Sequence, residues 1–288
     1  MVVHPQFDPV IFTIHPLFTI RWYALTYVLG FIAFLYLGKR KINKQEAYCL
    51  DSIDHLDSLF VYGVFGVILG GRLGYVLFYN SSYYLDNPVN ILKIWEGGMS
   101  FHGGLIGVII AMIIFSYQKH YKFLEISDFV APLAPIGLGL GRIGNFINGE
   151  LWGRITGINH FWAMGFPQAH NSDIRLLPTL SKDYYKAFIE YGCLPRHPSQ
   201  LYEFLLEGVV LFLILYLFAR QKRALGQISA IFLISYGIFR FAIEFSREPD
   251  VQLGLLSLGL SMGQWLCVPM ILAGVLLYVY TKKHPIQY

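Results

Sequence analysis

Long apolar stretches recur along the whole chain and are separated by shorter polar connections. A helix needs about 20 mainly apolar residues to cross the hydrocarbon core of a bilayer. Val251–Thr281, which carries no formal charge, exceeds that length by itself. The pattern predicts an all-α integral membrane protein with about seven transmembrane helices, in which residues 1–288 form a single polytopic membrane domain. We place the spans at residues 18–38, 59–79, 98–118, 128–147, 203–219, 227–245 and 262–281.

Basic residues in the connections predict the orientation of the chain. Lysine and arginine are enriched on the cytoplasmic side of membrane proteins, and here every odd-numbered span is followed by a basic segment. The C-terminus and these segments are therefore expected in the cytoplasm, and the N-terminus outside. No cleavable signal peptide is expected, because the first 17 residues lack a basic start and a small-residue cleavage site. The basic residues are Lys39, Arg40, Lys41, Lys44, Lys119, Lys122, Arg220, Lys222, Arg223, Lys282 and Lys283.

The longest connection, residues 148–202 between spans four and five, is expected outside the membrane. It contains several aromatic residues, Phe161 and Trp162 among them, which can cover a membrane surface or hold a partner peptide. We interpret it as a small outside (periplasmic) cap. A partly ordered connector is the alternative.

Composition supports a membrane protein over a soluble protein with buried helices. The chain is 55% hydrophobic and 14% charged, which is far from a soluble profile. The net charge of +4 reflects the basic connections, so no nucleic-acid partner is predicted. Cys49, Cys193 and Cys267 fall in an inside connection, an outside connection and a span, so no disulfide framework is expected. Their spacing indicates no metal site, and neither a metal nor a cofactor is predicted.

Three arginines, Arg72, Arg142 and Arg240, lie inside or at the end of apolar segments. A charge in hydrocarbon is costly, and arginine cannot release its proton to avoid that cost. Each guanidinium therefore needs an anion, and the most abundant anion in a membrane is a lipid phosphate. For Arg72, neutralisation by Glu96 or Asp128 is the simpler interpretation.

The sequence around Arg142, GLGLGRIGNFINGELWGR, combines charges with two amides and several glycines. Arg142 and Asn145 are three residues apart and share one side of a helix. The guanidinium fork matches phosphate oxygens, while Asn145 can donate to the same oxygens or to a glycerol hydroxyl. Asn148 adds a second amide, and Gly149 and Gly153 loosen the backbone where the helix should end. The alternative is that Arg142 merely pairs with Glu150.

Span six ends in SYGIFRFAIEFSREPD, where polar side chains share one stripe of a helix. In lipid such a stripe has to face protein or water, so it marks the inward side of the helix. A simple helical ion pair between Arg240 and Glu244 is the alternative. The stripe comprises Tyr236, Arg240, Glu244 and Arg247.

His102 lies among glycines at the start of span three, in EGGMSFHGGLIG. A histidine supplies a base whose pKa suits neutral pH. Flanking glycines such as Gly103 allow close approach of either another helix or a ligand. A structural hydrogen bond of His102 is the alternative.

The residues at two predicted helix starts have structural interpretations that need no catalytic role. In RHPSQLYE, Ser199 suits a helix start and Glu203 complements the positive helix end. A serine hydrolase built on Ser199 and His197 is a weak hypothesis, because residues two apart rarely form a triad. Tyr23, which follows Trp22 at the first span, has the position of an interfacial aromatic residue.

These segments together resemble a known family. FHGGLIG, GRIGNFINGELWGR, RHPSQLYE and YGIFRFAIEFSREPD are similar to the signature segments of bacterial prolipoprotein diacylglyceryl transferases, in the same order. The resemblance covers nearly the whole chain, is most specific around Arg142 and is weakest at about 155–192. It implies an enzyme of the bacterial cytoplasmic (inner) membrane that moves the diacylglyceryl group of phosphatidylglycerol onto the lipobox cysteine thiol of a prolipoprotein signal peptide. The implied products are a thioether-linked prolipoprotein and glycerol phosphate.

The resemblance also implies roles for individual residues. His102 matches the catalytic histidine, and Arg142 and Arg240 match arginines that bind the phospholipid and act in catalysis. Tyr23 and Glu244 match further positions that we expect to act in catalysis. The expected phosphatidylglycerol-binding set is Arg142, Asn145, Asn148, Glu150, Gly153, Tyr236 and Arg240.

The chemistry implied by the resemblance suits these side chains, but alternatives remain. The departing glycerol phosphate gains negative charge, which fixed guanidiniums stabilise in a water-poor site. The attacking thiol must lose its proton, and either His102 or one of the glutamates is the candidate base. A transporter or scramblase of anionic lipids would use the same arginines. A membrane-embedded phospholipid hydrolase would replace the thiol by water.

Overall fold

The computed structural model describes residues 1–15, 18–44, 50, 52–249, 254 and 256–286, in which most of the secondary structure is helical. The helices are α1 (Trp22–Asn43), α2 (Ile53–Phe78), α3 (Ser81–Asp86), α4 (Phe101–Gln118), α5 (Phe123–Val130), α6 (Ala134–Asn148), α7 (His170–Leu176), α8 (Lys182–Tyr191), α9 (Ser199–Glu203), α10 (Leu211–Phe218), α11 (Gln227–Ile243) and α12 (Met262–Lys283). A π-helical segment, Phe204–Val210, joins α9 to α10 without interruption. The short strands are β1 (Val2–Val3), β2 (Val10–His15), β3 (Phe18–Arg21), β4 (Met164–Gly165) and β5 (Pro195–Arg196).

Five of the described helical stretches are long and apolar enough to cross a membrane, and a sixth span results if α5 and α6 form one broken span. The chain is therefore a multi-pass helical membrane protein, as the hydrophobic pattern predicts. The predicted count of seven also needs α11, which is apolar but has only 17 residues, so that count stays a prediction. The five stretches are α1, α2, α4, Ser199–Phe218 and α12.

Two predicted spans differ from the structure. Residues 18–21 belong to β3, which pairs with β2 through Phe12 and Ile20, because β-branched and aromatic residues favour this extended hairpin. Span four is not continuous over 128–147, since α5 ends at Val130 and α6 begins at Ala134. Pro132 explains the break, because proline lacks the backbone N–H and restricts the residue before it.

Tertiary contacts divide the chain into two compact units, which are described separately. The first unit comprises Met1–Phe34, Ala131–Arg223 and Gln227–His284; the second comprises Leu35–Val130, Ala224–Gly226 and Pro285–Tyr288.

In the second unit, α2 and α4 pack backbone against backbone. Glycines recur every four residues on α2 (Gly66, Gly70 and Gly74) and on α4 (Gly103 and Gly107). A Cβ atom on Gly70 would lie 2.8 Å from the Gly107 Cα, and one on Gly74 would lie 2.7 Å from the Gly103 Cα. Small residues at this spacing let membrane helices approach closely. Of the two uses predicted for the glycine beside His102, the structure places Gly103 against another helix.

Arg72 of α2 is buried in the second unit and bonds backbone carbonyls. Its Nη2 donates to Asn90 O at 2.5 Å, its Nε to Ile91 O at 2.8 Å and its Nη1 to Gly97 O at 2.5 Å. The guanidinium also lies over the Tyr84 ring, 5.1 Å from its centroid. Arg72 therefore holds the connection between α3 and α4 by its main chain.

The two carboxylates predicted to neutralise Arg72 are not among its described partners. Asp128 Oδ2 accepts a hydrogen bond from the backbone N–H of Gly226 at 2.7 Å. The side chain of Glu96 lies outside the part that the structure describes. Carbonyl oxygens instead satisfy all three nitrogens of the guanidinium, which sequence spacing alone does not reveal.

In the first unit, residues 148–202 are folded. They contain α7 and α8, and their strands form a small sheet with the N-terminus in the order β1–β4–β5. Arg196, with none of its side chain exposed, donates from Nε and Nη2 to Asp173 Oδ1 at 2.9 and 2.7 Å. Asp173 Oδ2 accepts from the Leu194 N–H at 2.8 Å. The segment is thus an ordered insertion, while its side of the membrane stays a prediction.

Candidate functional site

Six ionisable side chains meet in the first unit, and we name them the arginine–glutamate cluster. They come from three helical stretches and from the residues directly after α11. The members are Arg142 of α6, Glu203 of α9, Glu207 of the π-helical segment, Arg240 of α11, and Glu244 and Arg247.

Close backbone packing brings the two sides of the cluster together. A Cβ atom on Gly139 of α6 would lie 3.1 Å from the Cα of Gly208. Gly139 is three residues before Arg142, and Gly208 directly follows Glu207. Any larger side chain at these glycines would push α6 away from the π-helical segment. The glycines therefore set how closely Arg142 approaches its carboxylates.

Glu203 pairs with all three arginines of the cluster. Its Oε1 lies 2.5 Å from Arg240 Nη1 and 3.1 Å from Arg247 Nη1, and both arginines donate a hydrogen bond to it. Its Oε2 lies 3.2 Å from Arg142 Nε. Because the Glu203 side chain is fully buried, these pairings are what makes an ionised carboxylate tolerable there.

Glu207 is also fully buried, but its distances to the arginines are longer. Oε2 lies 3.5 Å from Arg142 Nη2, and Oε1 lies 3.6 Å from Arg240 Nη1. Neither oxygen accepts a hydrogen bond from any residue that the structure describes. Glu207 thus faces two guanidiniums without occupying their N–H donors.

The cluster contains three positive and three negative side chains, and the two signs differ in exposure. Arg142, Arg240 and Arg247 expose 17, 15 and 12% of their side chains. Glu203 and Glu207 expose none, and Glu244, which lies 2.9 Å from Arg240 Nη2, exposes 7%. The arginines are therefore the accessible members, with the carboxylates behind them. Such an arrangement can receive an anion with planar N–H forks.

The predicted alternative partner of Arg142, Glu150, has other contacts. Its Oε1 accepts hydrogen bonds from Asn145 Nδ2 at 2.9 Å and from Asn148 Nδ2 at 3.3 Å. Its backbone carbonyl accepts from Gln200 Nε2 at 2.7 Å. The ion pairs of Arg142 in the described residues are with Glu203 and Glu207, so a merely local Arg142–Glu150 pair does not account for the charge. For Arg240 the simple alternative is present, since Glu244 does pair with it.

Gly153 joins the segment after α6 to the segment that carries Arg247. Its N–H donates to His197 O at 2.9 Å, and the backbone N–H of the next residue, Arg154, donates to Ser246 O at 2.8 Å. Arg154 Nε also donates to Arg247 O at 2.9 Å. A Cβ atom on Gly153 would lie 2.6 Å from His197 O, which no side chain tolerates. Gly153 is therefore needed for close packing, whereas α6 itself ends before Gly149.

Gly149 makes that helix end. It adopts the left-handed conformation, with φ of 64°, directly after Asn148, the last residue of α6. Its N–H donates to Phe146 O at 2.9 Å, as is usual where glycine terminates a helix.

Two tyrosines predicted for the site lie in the same unit. The Tyr23 hydroxyl is 2.9 Å from the Tyr27 hydroxyl, and the Tyr23 ring covers Gly144 of α6. The ring of Tyr236 stacks on Phe232, with centroids 5.7 Å apart. Tyr23 therefore packs beside the stretch of α6 that carries Arg142 and Asn145.

His102 belongs to the second unit. It is the second residue of α4, its side chain is exposed, and the helix is capped by Ser100, whose Oγ accepts from the Gly103 N–H at 3.2 Å. The structure thus gives His102 an accessible place at a helix start. Its chemical role stays a prediction.

The weak serine hydrolase hypothesis is not supported by the contacts of its two residues. Ser199 Oγ donates to Leu151 O at 2.9 Å, and His197 Nδ1 lies 3.3 Å from the Tyr202 hydroxyl. Burial, and the nearby imidazole of His160, lower the pKa of His197 below its usual value. His197 is thus engaged with Tyr202 rather than with a serine.

Comparison with known proteins identifies the family. The model of the family described as prolipoprotein diacylglyceryl transferase matches residues 9–280 of this chain. The chain belongs to that family. The resemblance found in the sequence segments is confirmed.

Named relatives are similar over nearly their whole length. A protein of Neisseria meningitidis serogroup C / serotype 2a is 56% identical, with 97% of each chain covered. One of Neisseria gonorrhoeae (strain FA 1090) has the same identity and coverage. One of Burkholderia ambifaria (strain MC40-6) is 52% identical over 100% of this chain and 99% of its own. All three are called phosphatidylglycerol–prolipoprotein diacylglyceryl transferase.

Sequence reasoning missed the centre of the cluster. Glu203 was interpreted only as complementing a helix end, and Glu207 was not singled out. The signal was present, because Glu207 is a carboxylate inside the apolar run FLLEGVVLFL, and an ionisable group there is presumed functional. The π-helical segment that carries Glu207 has no comparable signal in the sequence, although such segments often mark functional sites.

Proposed function

We propose that this chain transfers the diacylglyceryl group of phosphatidylglycerol to the cysteine thiol of a prolipoprotein lipobox. The chain belongs to a family of such transferases, and one structural observation carries the proposal. Arg142 and Arg240 reach from separate helices to the same two buried carboxylates, and each keeps part of its side chain accessible. Two planar forks held together suit a phosphate that bridges two glycerol groups.

The proposed reaction is a displacement at a glyceryl carbon. The lipobox sulfur attacks the carbon that carries the phosphate oxygen, a C–S bond forms, and the C–O bond breaks. The electron pair of that bond leaves with glycerol phosphate, so negative charge grows on the phosphate. Arg142 and Arg240 stabilise this charge in a site with little water.

The remaining members of the site have proposed roles in holding the lipid or moving a proton. Asn145 and Asn148 orient Glu150 and present amide donors to the glycerol headgroup. Gly153 pairs with Arg247 in an isolated β-bridge. Tyr236 lies on α11 with Arg240, whereas Tyr23 of α1 packs against Gly144 of α6. His102 is the proposed base for the attacking thiol, and Glu244, which pairs with Arg240, is the competing carboxylate.

The proposed setting is a bacterial cytoplasmic (inner) membrane. The chain forms one polytopic domain of seven spans, with the N-terminus outside and the C-terminus in the cytoplasm. The insertion at 148–202 then lies outside, where a prolipoprotein signal peptide emerges. The basic residues after the odd-numbered spans support this orientation.

The decisive experiment is transfer by the purified protein. The protein is incubated with phosphatidylglycerol vesicles and a lipobox peptide, and the peptide is weighed by mass spectrometry. We expect a mass increase equal to one diacylglyceryl group, and none for a matched peptide with serine in place of cysteine. Free diacylglycerol without peptide modification would indicate the hydrolase, and redistribution of intact lipid between leaflets would indicate the scramblase; either result alone contradicts the proposal.

A further inference from the structure

We infer that Glu207 is a positioning residue, which holds Arg142 and Arg240 side by side while leaving their N–H donors for the lipid phosphate. This inference rests on the proposed function. It concerns a carboxylate that does not itself touch the lipid, since its side chain is fully buried behind the two arginines.

The first step of the inference is electrostatic. Arg142 and Arg240 both approach Glu203, so two positive charges are brought together in a poorly hydrated place. Like charges repel strongly where the dielectric is low. A carboxylate between them offsets that repulsion. Each Glu207 oxygen faces a different guanidinium, at 3.5 Å for Arg142 and 3.6 Å for Arg240.

The second step concerns hydrogen bonding. Glu203 accepts hydrogen bonds from Arg240 and Arg247 and so occupies N–H groups of both. Glu207 accepts none from the described residues, because its distances exceed those of a hydrogen bond. Glu207 therefore supplies charge without consuming donors. Arg142 keeps N–H groups that can form a bidentate pair with phosphate.

The third step concerns how Glu207 comes to lie there. It sits in the π-helical segment Phe204–Val210, four residues after Glu203 on the same stretch. The next residue, Gly208, lets α6 approach, since its absent Cβ would lie 2.9 Å from Gly139 Cα. The local backbone thus fixes Glu207 beneath the arginines rather than beside the lipid.

The test removes the charge and keeps the shape. Glu207→Gln should lower kcat by about 10²-fold, the usual size for a misplaced catalytic group, without raising KM for phosphatidylglycerol. Glu207→Asp keeps the charge on a shorter side chain and should recover part of the loss. The matched control is Glu248→Gln, which makes the same change on a carboxylate outside the cluster. Glu248 pairs with Arg196 at 3.1 Å, and the Glu248→Gln variant should transfer like wild type.

A double-mutant cycle then separates positioning from general stability. If Glu207 acts through Arg142, Glu207→Gln should cost far less in an Arg142→Lys background than in wild type, because the group it positions has already changed. Rates are normalised to folded protein measured by size exclusion. If Glu207→Gln does not fold, Glu207→Asp is used in the same cycle.

The outcomes are distinct. Wild-type activity of Glu207→Gln, an equal loss in the Asp and Gln variants, or additive losses with Arg142→Lys would each overturn the inference. Absence of transfer by the wild-type protein itself would instead overturn the proposed function.

Discussion

At the scale of single residues, Arg142 and Arg240 combine two properties that bear on their role. Each is paired with buried carboxylates, so its charge is tolerated, and each still exposes about a sixth of its side chain. A purely structural ion pair would need no accessible side-chain surface. The proposed phosphate contact accounts for it.

Replacing these arginines should therefore slow transfer more than it lowers stability. Arg142→Lys retains the charge but loses the fork, and should lose much of the activity. Arg142→Ala and Arg240→Ala should lose about 10²–10³-fold, the usual cost of removing a transition-state donor. Initial rates of peptide modification measure the effect. Near-normal turnover in both alanine variants would make these arginines structural.

The proposed base, His102, can be tested through pH. His102→Gln should bind phosphatidylglycerol normally and transfer about 10²–10⁴-fold more slowly. The defect should shrink between about pH 6 and about pH 9, because the lipobox thiol ionises without help at the higher pH. A defect that is the same across this range, or a parallel loss of lipid binding, would contradict the assignment.

The cysteines of the chain should not be needed, because the attacking sulfur arrives with the substrate. Burial, and the nearby charge of Asp173, raise the pKa of the Cys193 thiol to about 11. A raised pKa means less thiolate than usual at neutral pH, and the thiol is also buried, so maleimide should label Cys193 slowly in the folded protein at neutral pH. Replacing Cys49, Cys193 and Cys267 together by serine should leave transfer largely intact. A folded triple variant that binds both substrates but does not transfer would show the opposite. Cys49 itself lies outside the described residues.

At this scale the sequence predicts the charged and amide members of the site better than their partners. Arg142, Asn145 and Arg240 stand out because polar side chains are unexpected in apolar segments. Their partners Glu203 and Glu207 are far away in the sequence, at the start of another span, and only tertiary packing reveals them. For the same reason the sequence suggests Glu96 or Asp128 as the partner of Arg72, whereas the described hydrogen bonds of its guanidinium are with backbone carbonyls.

At the scale of elements, the helices were predictable and their interruptions only partly so. Apolar length identifies the helices, because a bilayer leaves few alternatives for a long uncharged stretch. The hairpin formed by β2 and β3 was missed, since its apolar residues merge with the first span. Pro132 gave a signal for the break between α5 and α6, but the predicted span ran through it.

The packing of α2 on α4 gives a matched pair of substitutions on one helix. Gly70→Ala places a Cβ atom 2.8 Å from Gly107 Cα, so the helices must separate, at a cost of about 1–3 kcal/mol. Gly63→Ala meets no atom within 4 Å and should be neutral or slightly stabilising. Thermal unfolding in detergent compares the two. Equal midpoints for both variants would show that the contact does not hold the helices.

At the scale of the whole molecule, a polytopic helical architecture was predictable from hydrophobicity alone. The ordered insertion at 148–202 was less so, because it depends on a buried Arg196–Asp173 pair that joins distant parts of that segment. Orientation remains a prediction from the basic connections.

Single-cysteine labelling in a cysteine-free background tests that orientation. A cysteine in place of Lys41, near the end of α1, or of Lys283, at the end of α12, should resist an impermeant maleimide in intact cells and react after lysis. A cysteine in the insertion, for example in place of Phe161, whose side chain is 89% exposed, should react without lysis. Labelling of position 41 in intact cells would reverse the arrangement.

Arg72 illustrates why a genetic screen of this protein needs two measurements. One guanidinium keeps the main chain between α3 and α4 in place, so its loss leaves several carbonyls without their donors. The expected phenotype is fewer protein molecules surviving quality control rather than slower chemistry in each molecule. A survival assay would group Arg72 with Arg142, and only the abundance of the protein in isolated membranes would tell a folding lesion from a catalytic one.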